Sequence, residues 1–211
     1  MGQPKFCNGA AAASQPASVS SRSSTIGRDR PEADLPVHTK ILMNIDELTL
    51  RRVETALLDC DGSCRDINFA ECISTSGALD VLRVLASSWT LVQAMTGDGD
   101  DIAKSELQGN FRQASGSLST VWNGGSNPKH IQAYFHWDEP DRAFCEITFF
   151  PQDFDGETFK LMDFLSMLSK LALAARSAEY YVRYEDASWR HGQHEKDSVI
   201  LSDKVVSLSP T

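Results

Sequence analysis

No uninterrupted apolar stretch in this chain reaches the ~18–20 residues that a helix needs to cross a bilayer. The longest candidate, Phe159 to Ala175, is broken by Lys160, Asp163 and Lys170. Nor does the start read as a secretory signal, because the run Ala10–Ala13 is too short and is followed by serines. Gly2 invites a myristoylation reading, but Phe6 stands where that pattern wants Ser or Thr. Cysteine is sparse and odd in number: Cys7, Cys60, Cys64, Cys72 and Cys145 are five thiols in 211 residues. A chain that long can bury a core without staples, so the expectation is reduced thiols and a cytoplasmic location.

Positive charge is the other shortage. Residues 1–40 hold five basic and three acidic side chains, but residues 41–211 hold 15 basic against 26 acidic, a net of −11. Such a surface repels phosphate backbones and anionic lipid heads, which predicts neither nucleic acid nor membrane as a partner. It attracts basic partners over about a Debye length, ~8 Å at physiological salt.

Recognisable catalytic and metal-binding motifs are missing too. There is no Gly-x-Ser-x-Gly elbow for a nucleophile, and Gly116-Ser117 and Gly125-Ser126 read as turn punctuation. The loop Trp122-Asn123-Gly124-Gly125-Ser126-Asn127-Pro128 lacks the lysine and hydroxyl of a phosphate-binding loop. Asp59-Cys60-Asp61-Gly62-Ser63 starts like a calcium loop, but Cys64 and Ala70 occupy the places of its glycine and closing glutamate, so a helix-terminating turn is expected. Gly97-Asp98-Gly99-Asp100-Asp101 fails at the same point, with Gly109 in the closing position. Cys60, Cys64 and Cys72 have no second close pair for zinc, and Gly192 between His191 and His194 speaks for a solvated loop. No enzyme activity, cofactor or metal is expected on this basis.

What is present is the pattern of an α+β domain. Gly2 to about Val37 is Ala, Ser, Pro, Gly and Arg, so residues 1–40 read as a disordered tail and 41–211 as one globular domain, with Met43 a possible natural start. Asn44 with Glu47 fits a capping box, and Leu50, Val53 and Leu57 follow at helical spacing. Ile67, Phe69 and Ile73 predict a strand, and Ser76 caps a second helix with Leu79, Leu82, Leu85, Ala86 and Trp89 in its stripe. Trp89 to Met95 predicts another strand. A hairpin follows, Ile131, Ala133, Phe135 and Trp137 alternating on one arm and Ala143, Cys145, Ile147 and Phe149 on the other. Asp155 is placed to cap a long helix over about Glu157 to Arg176. Tyr180 to Glu185 and Val199 to Leu201 close the pattern as strands. The expected fold is a largely antiparallel sheet with two or three helices packed on one side.

Three segments mix aromatic and acidic residues at strand ends or turns: Trp137-Asp138-Glu139-Pro140-Asp141, Phe150 to Asp155 with Asp153, and Tyr180 to Trp189 with Tyr184, Glu185 and Asp186. Aromatics are common interface anchors, and carboxylates complement a basic partner. The candidate partner-binding residues are therefore Trp137, Asp138, Glu139, Asp141, Asp153, Asp155, Tyr184, Glu185, Asp186 and Trp189.

The stretch from Glu146-Ile147-Thr148-Phe149-Phe150-Pro151, through the long helix, to Glu179-Tyr180-Tyr181-Val182-Arg183-Tyr184-Glu185-Asp186-Ala187-Ser188-Trp189-Arg190-His191-Gly192 resembles the immunity proteins of bacterial polymorphic toxin and contact-dependent inhibition systems. The resemblance covers about a quarter of the chain. It implies a small acidic cytoplasmic protein that binds a basic toxin domain and blocks its active site. A hydrolase or transferase, a structural or secretion-accessory protein, and a small-molecule sensor module are the alternatives.

Overall fold

The computed structural model describes residues 47–70, 72–139, 141–185 and 199–203. The helices among them are α1 (Glu47–Leu58), α2 (Thr75–Ser88), the single turn α3 (Leu107–Asn110) and α4 (Leu161–Ala175). The strands are β1 (Arg65–Asn68), β2 (Thr90–Thr96), β3 (Gly116–Asn123), β4 (His130–Glu139), β5 (Arg142–Phe149), β6 (Tyr181–Tyr184) and β7 (Val199–Ser202). They form one seven-stranded sheet in the order β2-β3-β4-β5-β1-β6-β7, and every pairing is antiparallel. The α+β class with an antiparallel sheet is as the sequence predicts.

One alternating set of strand residues makes the core. Ile131, Ala133, Phe135 and Trp137 of β4, with Ala143, Cys145, Ile147 and Phe149 of β5, are all buried and form one cluster with Val53 and Leu57 of α1, Val81, Leu82 and Leu85 of α2, and Phe164, Leu165, Leu168 and Leu171 of α4. The three long helices thus share one face of the sheet, where burial of their apolar stripes is the main driving force. Phe149, Phe154, Phe159 and Phe164 interlock edge to face across the β5–α4 connection, at centroid distances of 4.9–5.9 Å. Helices α2 and α4 cross closely at Gly77, where a Cβ would stand 2.6 Å from the Ala175 carbonyl oxygen.

Several boundaries move. Helix α2 is capped by Ser74, not Ser76: the Ser74 hydroxyl accepts from Gly77 N–H at 3.0 Å, one turn ahead of the stripe. The long helix starts at Leu161 rather than near Glu157, because Asp155 closes a separate turn, accepting from Glu157 N–H through its side chain and from Phe159 N–H through its carbonyl. Trp122, expected in a loop, is fully buried in β3, and Gly116-Ser117 open that strand. Ile73 keeps only an isolated bridge to Ala143 beyond the end of β1. Asn44, Met43 and the expected tail lie outside the described residues, as do His191 and His194.

Candidate functional site

The ladder sorts the candidate residues into two groups. β4 runs toward Asp138 and Glu139, and β5 runs back from Asp141 to Phe149, so the β4–β5 turn and the Phe150–Asp155 segment lie at opposite ends of a strand about 24 Å long. Tyr184 pairs with Arg65, and Arg65 with Phe149, which puts Tyr184 and Glu185 at the Asp153 end. Asp186 and Trp189 lie outside the described residues.

At the first end, Asp138, Glu139 and Asp141 are exposed. Trp137 is not available to a partner: it is 1% exposed, its ring stacks on Phe111 at 4.7 Å, and its indole N–H donates to the Gln113 carbonyl at 3.1 Å. This corrects the expectation, and the cause is the two-residue period of β4, which turns position 137 inward with Phe135 and Ala133. The same rim gains carboxylates that the aromatic-acidic pattern missed. Gly97 N–H donates to Ser117 O and Gly116 pairs with Trp137, so the exposed Asp98, Asp100 and Asp101 flank the β4–β5 turn two strands away, about 10 Å along the sheet.

At the second end, the acidic residues work inside the fold. Asp153 meets His130 Nδ1 at 2.7 Å through its carboxylate and accepts from Lys129 N–H through its carbonyl, tying the start of β4 to the end of β5. The Asp155 backbone N–H donates to Asn127 Oδ1 at 3.1 Å. Tyr184 is half-buried under the guanidinium of Arg65, 4.4 Å from ring to charge centre, and Glu185 accepts from Cys64 N–H at 3.3 Å.

Arg65 organises this corner. It is 0% exposed and donates to the carbonyls of Ala56, Asp59, Ser63 and Cys64, to Ser63 Oγ and to Asp61 Oδ1. A buried guanidinium is tolerated only when its donors are met, and here they lock the α1–β1 loop. Asp61 accepts from the Ser63 N–H and hydroxyl and from Arg65, which holds its carboxyl down at about 2.

On the sheet face opposite the described helices, β5, β1 and β6 share a polar network. Arg183 Nη2 lies 3.2 Å from Asp66 Oδ2 and 2.9 Å from Glu146 Oε2, its Nε donates to Asn68 Oδ1 at 2.8 Å, and Asn68 Nδ2 reaches Glu146 at 3.0 Å. Thr148 donates to Asp66 Oδ1 at 2.7 Å. Two carboxylates share one cation, so burial first and the Glu146 charge second push the Asp66 carboxyl above its usual range. Burial, with Asp66 and Glu185 nearby, pushes the Cys64 thiol up to about 12. Glu146 and Thr148 alternate with the core residues of β5, and their partners depend on β1 and β6 lying side by side.

Among the described residues no cluster of His, Cys, Asp and Glu could hold a metal ion, and no helix is long and apolar enough to cross a membrane. Compared with known proteins, the chain matches no family model, no curated protein and no solved structure.

Proposed function

We propose that this chain is an immunity protein that binds and neutralises a basic toxin domain of the same or a sibling bacterial cell in the cytoplasm. The observation that carries the reading is the rim where Asp98, Asp100, Asp101, Asp138, Glu139 and Asp141 are all exposed at one end of the sheet. The two turns are close to one Debye length apart, so their fields overlap in solution and an approaching basic surface meets them together. Arg142, 3.9 Å from Glu139, is an exposed and incomplete counter-charge. With Trp137 inside the core, the rim is electrostatic and acts mainly on the association rate.

The test is co-expression with the toxin gene next to this one, followed by binding of the purified proteins at low and high salt. Protection of cells and an association rate that falls as salt rises support the reading. Neither protection nor binding at any ionic strength overturns it, and a metabolic operon as genetic neighbour would favour the enzyme alternative.

A further inference from the structure

An open groove beside α2 has the opposite electrostatic character to the rim. It encloses about 180 Å³, lined by Thr75, Ser76, Leu79 and Arg83 of α2 and by Gln108, Phe111 and Arg112 of α3 and its exit. Arg83 gives Nη1 to Asp80 at 2.6 Å, while Arg176 gives Nη2 to the other Asp80 oxygen at 2.9 Å and Nη1 to Ser76 Oγ at 3.1 Å. Arg112 makes no ion pair among the described residues. Two guanidiniums thus share the Asp80 carboxylate, and the groove itself is lined by Arg83 and Arg112 with no acidic side chain, on a chain of net charge −9.

The wall that carries Arg112 is rigid. Phe111 is buried, stacks on Trp137 and meets Phe135 edge to face at 5.5 Å, and Gln113 is held by the Trp137 indole. Arg112 therefore projects from a segment fixed on both sides, so less ordering is needed when a ligand arrives. The Gly77 amide is already taken by Ser74 and is not open to a ligand in the groove. Sites for whole drug-sized ligands run to roughly 300–1,000 Å³, so this groove suits a single charged group. A tetrahedral dianion can use both guanidiniums together with the Ser76 hydroxyl and the Gln108 amide, whereas a planar carboxylate is satisfied by one arginine fork.

We propose that the groove between Arg83 and Arg112 is a binding site for a phosphoryl group, either free phosphate or the phosphate of a small monoester. It is independent of the toxin-binding rim.

The full-length chain, labelled for amide NMR, would be titrated with inorganic phosphate and separately with glycerol phosphate against an equal-ionic-strength chloride control. Expected are saturable shifts confined to Ser76, Arg83, Gln108 and Arg112, with affinity about tenfold weaker in Arg112→Gln and in Arg83→Gln, and unchanged in Arg51→Gln on α1. Tighter binding of the monoester places the phosphate on a larger ligand, and equal binding makes it free phosphate. Shifts that the chloride control reproduces, shifts scattered over basic residues generally, an absence of saturation, or unchanged affinity in both folded Gln variants would overturn the proposal.

Discussion

The Trp137 indole donates to the main-chain carbonyl of Gln113 at 3.1 Å, joining β4 to the end of the α3 turn through a side chain that is itself sealed in the core. Trp137→Phe keeps most of the ring burial and orphans one carbonyl, so it should cost about 1–3 kcal/mol. Trp137→Ala also opens a cavity and should cost about 3–5 kcal/mol. Urea unfolding of both variants checks this. A Trp137→Ala protein as stable as the parent would contradict the packing described.

Arg65 and Tyr184 offer a second stability test. Arg65→Met removes donors from five residues of the α1–β1 segment and should destabilise by about 3–5 kcal/mol, because the carbonyls of Ala56 and Asp59 lose a buried partner. Tyr184→Ala should lower stability through the lost ring contact with Arg65. If Tyr184 also anchors a toxin, the same variant should dissociate faster. Measuring unfolding and dissociation separately distinguishes the roles.

Acid and base act on Asp66 and Asp61 in opposite senses. The folded-state pKa of Asp66 is raised, so its contribution to stability is full below the unfolded value of about 3.9 and is lost as pH rises through the raised value. Asp61, lowered to about 2, contributes above the unfolded value and loses that contribution as pH falls through about 2. Asp66→Asn should therefore remove a loss of stability on going from pH 4 toward neutrality, and Asp61→Asn should remove a loss below pH 4. Denaturant midpoints across pH 2–7 read both slopes, and a variant with the parent's full pH profile would refute the corresponding assignment.

Thiol reactivity should follow burial. Cys60 is exposed, whereas Cys64 and Cys145 are buried with thiols pushed upward, Cys64 to about 12. In the native protein a chromogenic disulfide reagent should react quickly with Cys60 and reach Cys64 and Cys145 only on unfolding. Cys60→Ser should delete a fast phase. Rapid native labelling of Cys64, identified by mass spectrometry, would mean that the corner around Arg65 opens readily.

Replacing Asp138, Glu139 and Asp141 together by Lys should slow association with the toxin more than it speeds dissociation, and should weaken the salt dependence of the association rate. The residues are exposed and project from a turn, so the unfolding midpoint should stay near that of the parent. An unchanged association rate would move the interface away from this rim.

Local periodicity determined much of this fold. The alternation of Ile131, Ala133, Phe135 and Trp137 against Ala143, Cys145, Ile147 and Phe149 set both arms of the β4–β5 hairpin, since a one-residue slip would turn every apolar side chain to the other face. The stripes of α1 and α2 were legible from their helical spacing, and the acidic balance follows from counting. The alternation also placed Trp137 inward, and reading it as a surface anchor set the aromatic pattern above the period. Only the tertiary structure decided the rest. Strand order is a long-range choice, and it is the placement of β1 between β5 and β6 that brings Asp66, Glu146 and Arg183 together across 117 positions of sequence. The same choice sets Asp98, Asp100 and Asp101 beside the β4–β5 turn and leaves Asp153 and Asp155 at the far end. Residues distant in the chain meet only when the sheet is assembled, because burial rewards whichever strand order closes one core over the helices, and no local window contains that information.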